Sequence, residues 1–321
     1  MTPDIRKCAI IGCGSVGTTT AFSLMKSGLF SEMVLIDVDK RRVHGEAADL
    51  NHGLPFLAPM DIYAGDWRDT ADAGIIIIAA GVAQKPGETR LDLLRANTRI
   101  FADILGEICK YNTEAILLVV TNPVDVLTEI ARRLSSFPAA RVIGSGTVLD
   151  TARLKFLLGK RLGVDSRNVH AFIIGEHGDS ELPVFSSANI SGIDFDHFCT
   201  PVEGLDQQTL DEIFVEVRDA AYGIIAAKGA TYYAIAEAVR RIVTAIVRDE
   251  EAVLPVSVMA DGHYGLSGLS ISLPAVVGRR GVLRVLEMSL NADEQRRLEA
   301  SAAQIKEALD SLGVPERILY R

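Results

Sequence analysis

A histidine flanked by glycines, in Gly175-Glu176-His177-Gly178-Asp179-Ser180, follows an apolar run over residues 169–174 that reads as a strand. On a tight turn at a strand end, glycine lets the backbone come close to a small ligand. Imidazole is also the side chain best suited to give and take a proton near neutral pH. Near the N-terminus a second pattern, Gly12-Cys13-Gly14-Ser15-Val16-Gly17, joins an apolar, β-branched run to a helical one. There the first glycine permits a tight turn, the second lets backbone approach a pyrophosphate, and the third allows close helix–strand packing. The helix N-terminus adds free N–H groups for the phosphates. Asp37, about 20 residues past Gly17 at the end of the next strand, is placed to accept hydrogen bonds from an adenosine ribose. A carboxylate there would repel a 2′-phosphate, so the pattern points to NAD over NADP.

These residues need a scaffold, and hydrophobic periodicity supplies one. Strands are expected over residues 7–12, 33–38, 75–80, 115–120 and 142–144, the third a continuously apolar run of the kind buried on both faces. Between them lie a helix closed by a Gly28 C-cap and helical patterns over 41–52, 91–111 and 124–134. The stretch 81–90, with Pro86 and Gly87, is a loop, and Thr121-Asn122-Pro123 is a turn. Strands alternating with helices predict a parallel, doubly wound sheet. The second half changes character, with helices over 151–162, 205–227, 231–247 and 293–312. Between 253 and 277, short apolar runs punctuated by Pro and Gly have the rhythm of antiparallel strands. No repeat, low-complexity tract or flexible linker separates the two halves, 1–145 and 146–321, so they are expected to pack together.

At 321 residues the chain exceeds the size at which one core usually keeps growing, and a hydrophobic content of 48% is ample for large buried cores. A net charge of −9 and a pI near 5.3 argue against a nucleic-acid partner. An anionic substrate must then be captured by a local cation, since the overall field repels it. Cys8, Cys13, Cys109 and Cys199 are scattered, with no CxxC or Cys/His cluster, so neither a metal site nor a disulfide framework is indicated. No secretory signal is visible, and the most apolar stretch, 75–83, is too short to span a bilayer. These features predict a cytoplasmic protein with no membrane partner.

Five stretches together carry a family likeness: Gly12 to Gly17, Ala80-Gly81-Val82-Ala83-Gln84-Lys85-Pro86-Gly87-Glu88-Thr89-Arg90, Thr121-Asn122-Pro123-Val124-Asp125, Leu149-Asp150-Thr151-Ala152-Arg153, and the His177 turn. Over essentially its full length the chain resembles the L-lactate dehydrogenases of the lactate/malate dehydrogenase superfamily. The resemblance implies an α/β fold in which an N-terminal Rossmann doubly wound parallel sheet packs on a C-terminal α+β substrate domain. It also implies NAD as cofactor, pyruvate and lactate as substrates, and a homotetramer or otherwise a dimer. His177 matches the proton donor and acceptor, and Asp150 the carboxylate that holds its other ring nitrogen. Asp150 could also sit near a helix N-cap ahead of Thr151. Arg153, three residues on and able to share a helix face with Asp150, matches the guanidinium that grips the substrate carboxylate. Arg90 matches the cation that polarises the substrate carbonyl once the loop closes. Asn122 matches a residue near the nicotinamide and the substrate oxygen. Thr231 matches a pocket wall, though by local pattern it is a good helix N-cap. Cofactor contacts are implied for Gly12, Gly14, Val16, Gly17, Asp37, Gly81 and Asn122.

Gln84 decides the substrate within that resemblance. Malate dehydrogenases carry arginine at the matching position, where it pairs with the second carboxylate of oxaloacetate. A neutral glutamine leaves room for a methyl and leaves an extra carboxylate unpaired. The rival readings are a malate or broader 2-hydroxy acid dehydrogenase and, in another class, an NAD-binding protein without turnover. At the site where many bacterial relatives bind fructose 1,6-bisphosphate between subunits, His170 is kept but Lys155 replaces arginine. Lysine holds phosphate as a point charge and not as a fork.

Overall fold

Runs of Ile, Val and Leu set the centre of the molecule. The computed structural model describes residues 3–82, 89–199 and 206–314. Strands β1 (Asp4–Ile11), β2 (Glu32–Ile36), β3 (Asp61–Ala64), β4 (Ala73–Ile78), β5 (Ile116–Val119) and β6 (Val142–Gly144) lie parallel in the spatial order β6-β5-β4-β1-β2-β3. Every residue of β4 and β5 is buried, which requires cover on both faces and explains their unbroken apolar sequence. Helices α1 (Ser15–Ser27), α2 (Lys40–Gly53), α3 (Arg90–Ile108) and α4 (Val124–Leu134) make the crossovers. The order runs outward from β1 in one direction and from β4 in the other. At such a reversal of strand order, doubly wound sheets bind ligands at the carboxyl ends of the strands.

Helix α5 (Val148–Leu162) opens the second half. Short strands follow, β7 (Val169–His170), β8 (Ile173–Ile174), β9 (Leu182–Pro183), β10 (Asn189–Ile190) and β11 (Ile193–Asp194), then helices α6 (Phe195–Cys199), α7 (Gln207–Lys228) and α8 (Tyr233–Arg248). The chain closes with β12 (Ala252–Asp261), β13 (Ser267–Gly278), β14 (Gly281–Val285) and α9 (Ala292–Leu312). The last three strands are antiparallel and join the parallel set where Ser257 pairs with Gly144. Among the described residues one nine-stranded sheet thus runs through both halves. Gly144 makes the junction feasible, because a Cβ there would come within 2.7 Å of the Ser257 Cβ.

Three expectations are corrected. Residues 169–174 are two strands, because Val169 and His170 pair with β10 while Ile173 and Ile174 pair with β9. Helix α5 begins at Val148, so Asp150 lies inside its first turn and is not its N-cap. The Thr147 hydroxyl at the cap position donates to the Ile173 carbonyl at 2.5 Å, tying α5 to β8. The cap position of α8 is Tyr232, not Thr231, and no side chain caps that helix.

A buried charge cluster fastens the halves. Glu129 of α4 accepts hydrogen bonds from Arg132, from Arg133 at 2.7 Å and from Ser270 of β13 at 2.9 Å. Arg133 also donates to the carbonyls of Gly268 and Val314. Removing one member of such a cluster leaves a buried charge unpaired. Glu129→Ala is expected to lower unfolding free energy by about 3–5 kcal/mol in chemical denaturation; a loss near zero would show that β13 is held otherwise.

Candidate active site

The His177 turn is stitched to its surroundings on both sides. Gly175 and Ser272 of β13 exchange backbone hydrogen bonds at 3.0 and 3.2 Å, and Glu176 N donates to Ser301 Oγ of α9. The His177 N–H donates to Asp125 Oδ2 at 2.7 Å, and Asp125 Oδ1 accepts from Ser272 Oγ. Asp125 stands in the first turn of α4, just after the Asn122–Pro123 cis peptide. Three elements, β13, α9 and α4, therefore fix the backbone around one imidazole.

The ring meets α5. His177 Nδ1 lies 2.7 Å from Asp150 Oδ2, and Arg153 Nη1 donates to Asp150 Oδ1 at 2.9 Å. Since Asp150 accepts at Nδ1, Nε2 is the nitrogen left to carry a proton to a ligand. The side chains of Asp150 and His177 are 2% and 22% exposed, so the carboxylate is sealed while the ring keeps an open edge. Burial alone would lift the Asp150 pKa, yet the charges of His177 and Arg153 hold it below the usual carboxylate range. Burial works against the imidazolium too; Asp150, aided by Glu181, outweighs it and raises the His177 pKa well above its ordinary value. The arrangement is a proton donor held in one tautomer beside a guanidinium suited to an anionic substrate.

At the carboxyl end of β1, Gly12 has φ +93° and a Cβ there would collide with the Ala80 backbone just after β4. A Cβ on Gly17 would strike the Gly12 carbonyl, whereas around Gly14 nothing lies within 4 Å. The middle glycine thus borders open space at the start of α1, the room a pyrophosphate needs. Val16 lies in the first turn of α1. Asp37 closes β2 and accepts from Cys13 N at 2.6 Å and Asp39 N at 2.9 Å, which fixes its carboxylate beside the glycine turn. The residues present fit a dinucleotide.

The structure brings His177, Asp150 and Arg153 into direct contact and gathers Gly12, Gly14, Gly17 and Asp37 at one strand end. Gly81 packs against Thr121 and Asn97, and buried Asn97 ties Val82 to the Asn122 carbonyl. Thr231 lies in the link between α7 and α8, and no hydrogen bond among the described residues joins it to His177, Asp150 or Arg153. Gln84 lies outside the described residues; Arg90 opens α3, and its side chain is likewise outside the description. Lys155 is half-buried on α5, with its pKa lowered by burial, and His170 is exposed on β7. Sequence reasoning gave no role to Asp125, Asn97, Ser272 or Glu181. Asp125 ends one quoted motif and Glu181 follows another, but only the fold shows that both lie against the histidine.

Residues 6–144 match the family described as lactate/malate dehydrogenase, NAD binding domain, and residues 147–313 match its alpha/beta C-terminal domain. The L-lactate dehydrogenase of Acetivibrio thermocellus is 51% identical over 311 residues, covering 97% of this chain and 98% of that protein. The L-lactate dehydrogenase of Priestia megaterium is 48% identical over 309 residues, covering 96% of this chain and 97% of its own. A lactate dehydrogenase structure from a Medee basin deep-sea metagenome library superposes with a TM-score of 0.94 at 43% identity, covering 98% of this chain and 100% of that one. The minor L-lactate dehydrogenase of Enterococcus mundtii, solved with ligands bound, gives 0.93 at 38% identity, covering 96% and 98%.

If Asp150 is what keeps the ring charged, Asp150→Asn should lower the His177 titration midpoint by about one unit or more. NMR of the imidazole Cε1–H reads this directly; an unmoved midpoint would remove Asp150 from that role.

Proposed function

The chain belongs to the lactate/malate dehydrogenase family, and from that membership we propose that it is an NAD-dependent L-lactate dehydrogenase interconverting pyruvate and (S)-lactate. The observation that carries this reading is the Arg153–Asp150–His177 chain of bonds, which sets an anion-gripping guanidinium beside a proton donor of raised pKa.

Gly12, Gly14, Gly17 and Asp37 would hold NADH, which when bound would supply the hydride for reduction of the pyruvate carbonyl. His177, as imidazolium, gives its Nε2 proton to the carbonyl oxygen as negative charge develops there. Asp150 stabilises the charged ring before transfer and keeps its tautomer after it. Arg153 holds the substrate carboxylate through donors not used by Asp150 and so orients the ketone toward His177. In lactate oxidation the same nitrogen, now neutral, takes the hydroxyl proton. Arg90 is assigned to polarise the carbonyl, with Asn122 beside the reacting oxygen and Thr231 in the pocket wall.

The same reading takes residues 1–145 as the dinucleotide-binding unit and 146–321 as the catalytic unit. It places the enzyme in the cytoplasm; the free thiols of Cys8, Cys13 and Cys109 agree with a reducing compartment, and among the described residues no helix is long and apolar enough to cross a membrane. A homotetramer, or otherwise a dimer, is supported by large apolar side chains left in water, Phe56 at 87% and Tyr233 at 66% exposure. Lys155 and His170 are proposed to hold a sugar bisphosphate at a subunit boundary.

Specificity rests on Gln84, which offers no cation to a second carboxylate. NADH oxidation with pyruvate should exceed that with oxaloacetate in kcat/KM by about 10²–10³-fold or more. Gln84→Arg should swing the preference toward oxaloacetate, and an unchanged ratio would overturn the assignment of that residue.

A further inference from the structure

Beside the reacting histidine stands a carboxylate that the mechanism above does not use. Glu181 is 2% exposed, and neither of its side-chain oxygens has a hydrogen-bond partner among the described residues. An ionised carboxyl without donors is costly to bury, so it needs a nearby cation or a proton of its own. Among the described residues the cation beside it is His177, whose Nδ1 lies 3.8 Å from Glu181 Oε2. That is the nitrogen already bonded to Asp150, and a carboxylate oxygen of Asp150, a ring nitrogen of His177 and a carboxylate oxygen of Glu181 all fall within 4.8 Å of one another. The position of Glu181 is set by rigid backbone: its N–H donates to the Gly178 carbonyl, and the next residue, Leu182, pairs with Ile174.

We propose that Glu181 is a positioning residue for catalysis, a second carboxylate that shares the Nδ1 edge of His177 with Asp150 and sets how firmly the ring keeps its proton. The proposal rests on the lactate dehydrogenase reading of the site. The charges facing the pair come from several elements. Asp150 and Arg153 lie on α5, Asp125 on α4, Glu176 and Asp179 on the turn itself, and Arg218 of α7 acts electrostatically on Glu181. With the imidazole charged, His177 and Arg153 balance Asp150 and Glu181. With the imidazole neutral, Glu181 loses the cation that lies 3.8 Å from its Oε2. Burial, with the charge of Asp150 adding to it, pushes the Glu181 pKa up to about 7, the range in which a histidine changes charge. The two groups then titrate as a pair, with midpoints that belong to both.

An ionised Glu181 favours the imidazolium, so removing its charge makes His177 release its proton at lower pH. In Glu181→Gln, an isosteric change, the alkaline limb of kcat/KM for pyruvate should move down by about one pH unit, and the pH at which lactate oxidation gains its neutral base should move down with it. NADH affinity, measured by fluorescence, reports whether the variant is folded. In the wild-type protein, with 13C-carboxyl glutamate and no substrate, one resonance absent from the variant should titrate near neutral pH. An unmoved limb in a variant that binds NADH normally would overturn the proposal. So would a Glu181 resonance titrating in the ordinary glutamate range, which also decides the matter should the variant fail to fold. Failure of the wild type to reduce pyruvate would instead overturn the lactate reading and leave the carboxyl titration to stand or fall by itself.

Discussion

A carboxylate almost wholly shut off from water stays charged only where cations face it, and Asp150 has two, the imidazole of His177 and the guanidinium of Arg153. That local balance is what the rest of the architecture serves. Breaking it from either side would leave a buried charge alone, so the histidine cannot drift from the carboxylate without large cost. The ring is thereby fixed in tautomer and in orientation, its charged form is favoured, and its second nitrogen is left for chemistry.

The fold supplies this pairing from segments far apart in sequence. Asp150 sits in the first turn of α5, whose start is tied to β8 through Thr147 and Thr151. His177 follows β8, on a turn whose backbone is held by Asp125 of α4 and by β13. Because β12 joins β6, the strands that brace this turn continue the sheet that carries the dinucleotide cradle. A single rigid layer therefore sets the distance between the glycine turn at β1 and the imidazole. Precise placement of two reacting groups is a matter of sheet register, not of loop conformation.

Much of this was legible in the residues. The helix expected over 124–134 is α4 at the same bounds, because a strongly amphipathic run follows a proline and stops at a change of composition. The buried strand at 75–80 stood out by length and β-branching, and the glycine spacing by its place between strand and helix. What pattern could not show was the partner of each strand. Residues 169–174 look like one apolar run, yet the pairing of His170 with Asn189 and of Ile174 with Leu182 splits them. Nor could it show that β12–β14 extend the parallel sheet, since period and turn chemistry give strand direction but not neighbours. In the site, His177, Asp150 and Arg153 were found by likeness, and the fold supplied the contacts that justify it. Glu181 escaped notice because an acid after a glycine-rich turn ordinarily faces water; only its burial marks it.

The central claim is that one imidazole moves the proton in the reduction of pyruvate. His177→Asn keeps a polar side chain of similar reach but removes the titrating group. NADH oxidation with saturating pyruvate in that variant is predicted to fall by about 10²–10⁴-fold while NADH binding stays near the wild-type affinity. Turnover within a few-fold of wild type would contradict the account, because some other group would then be the acid.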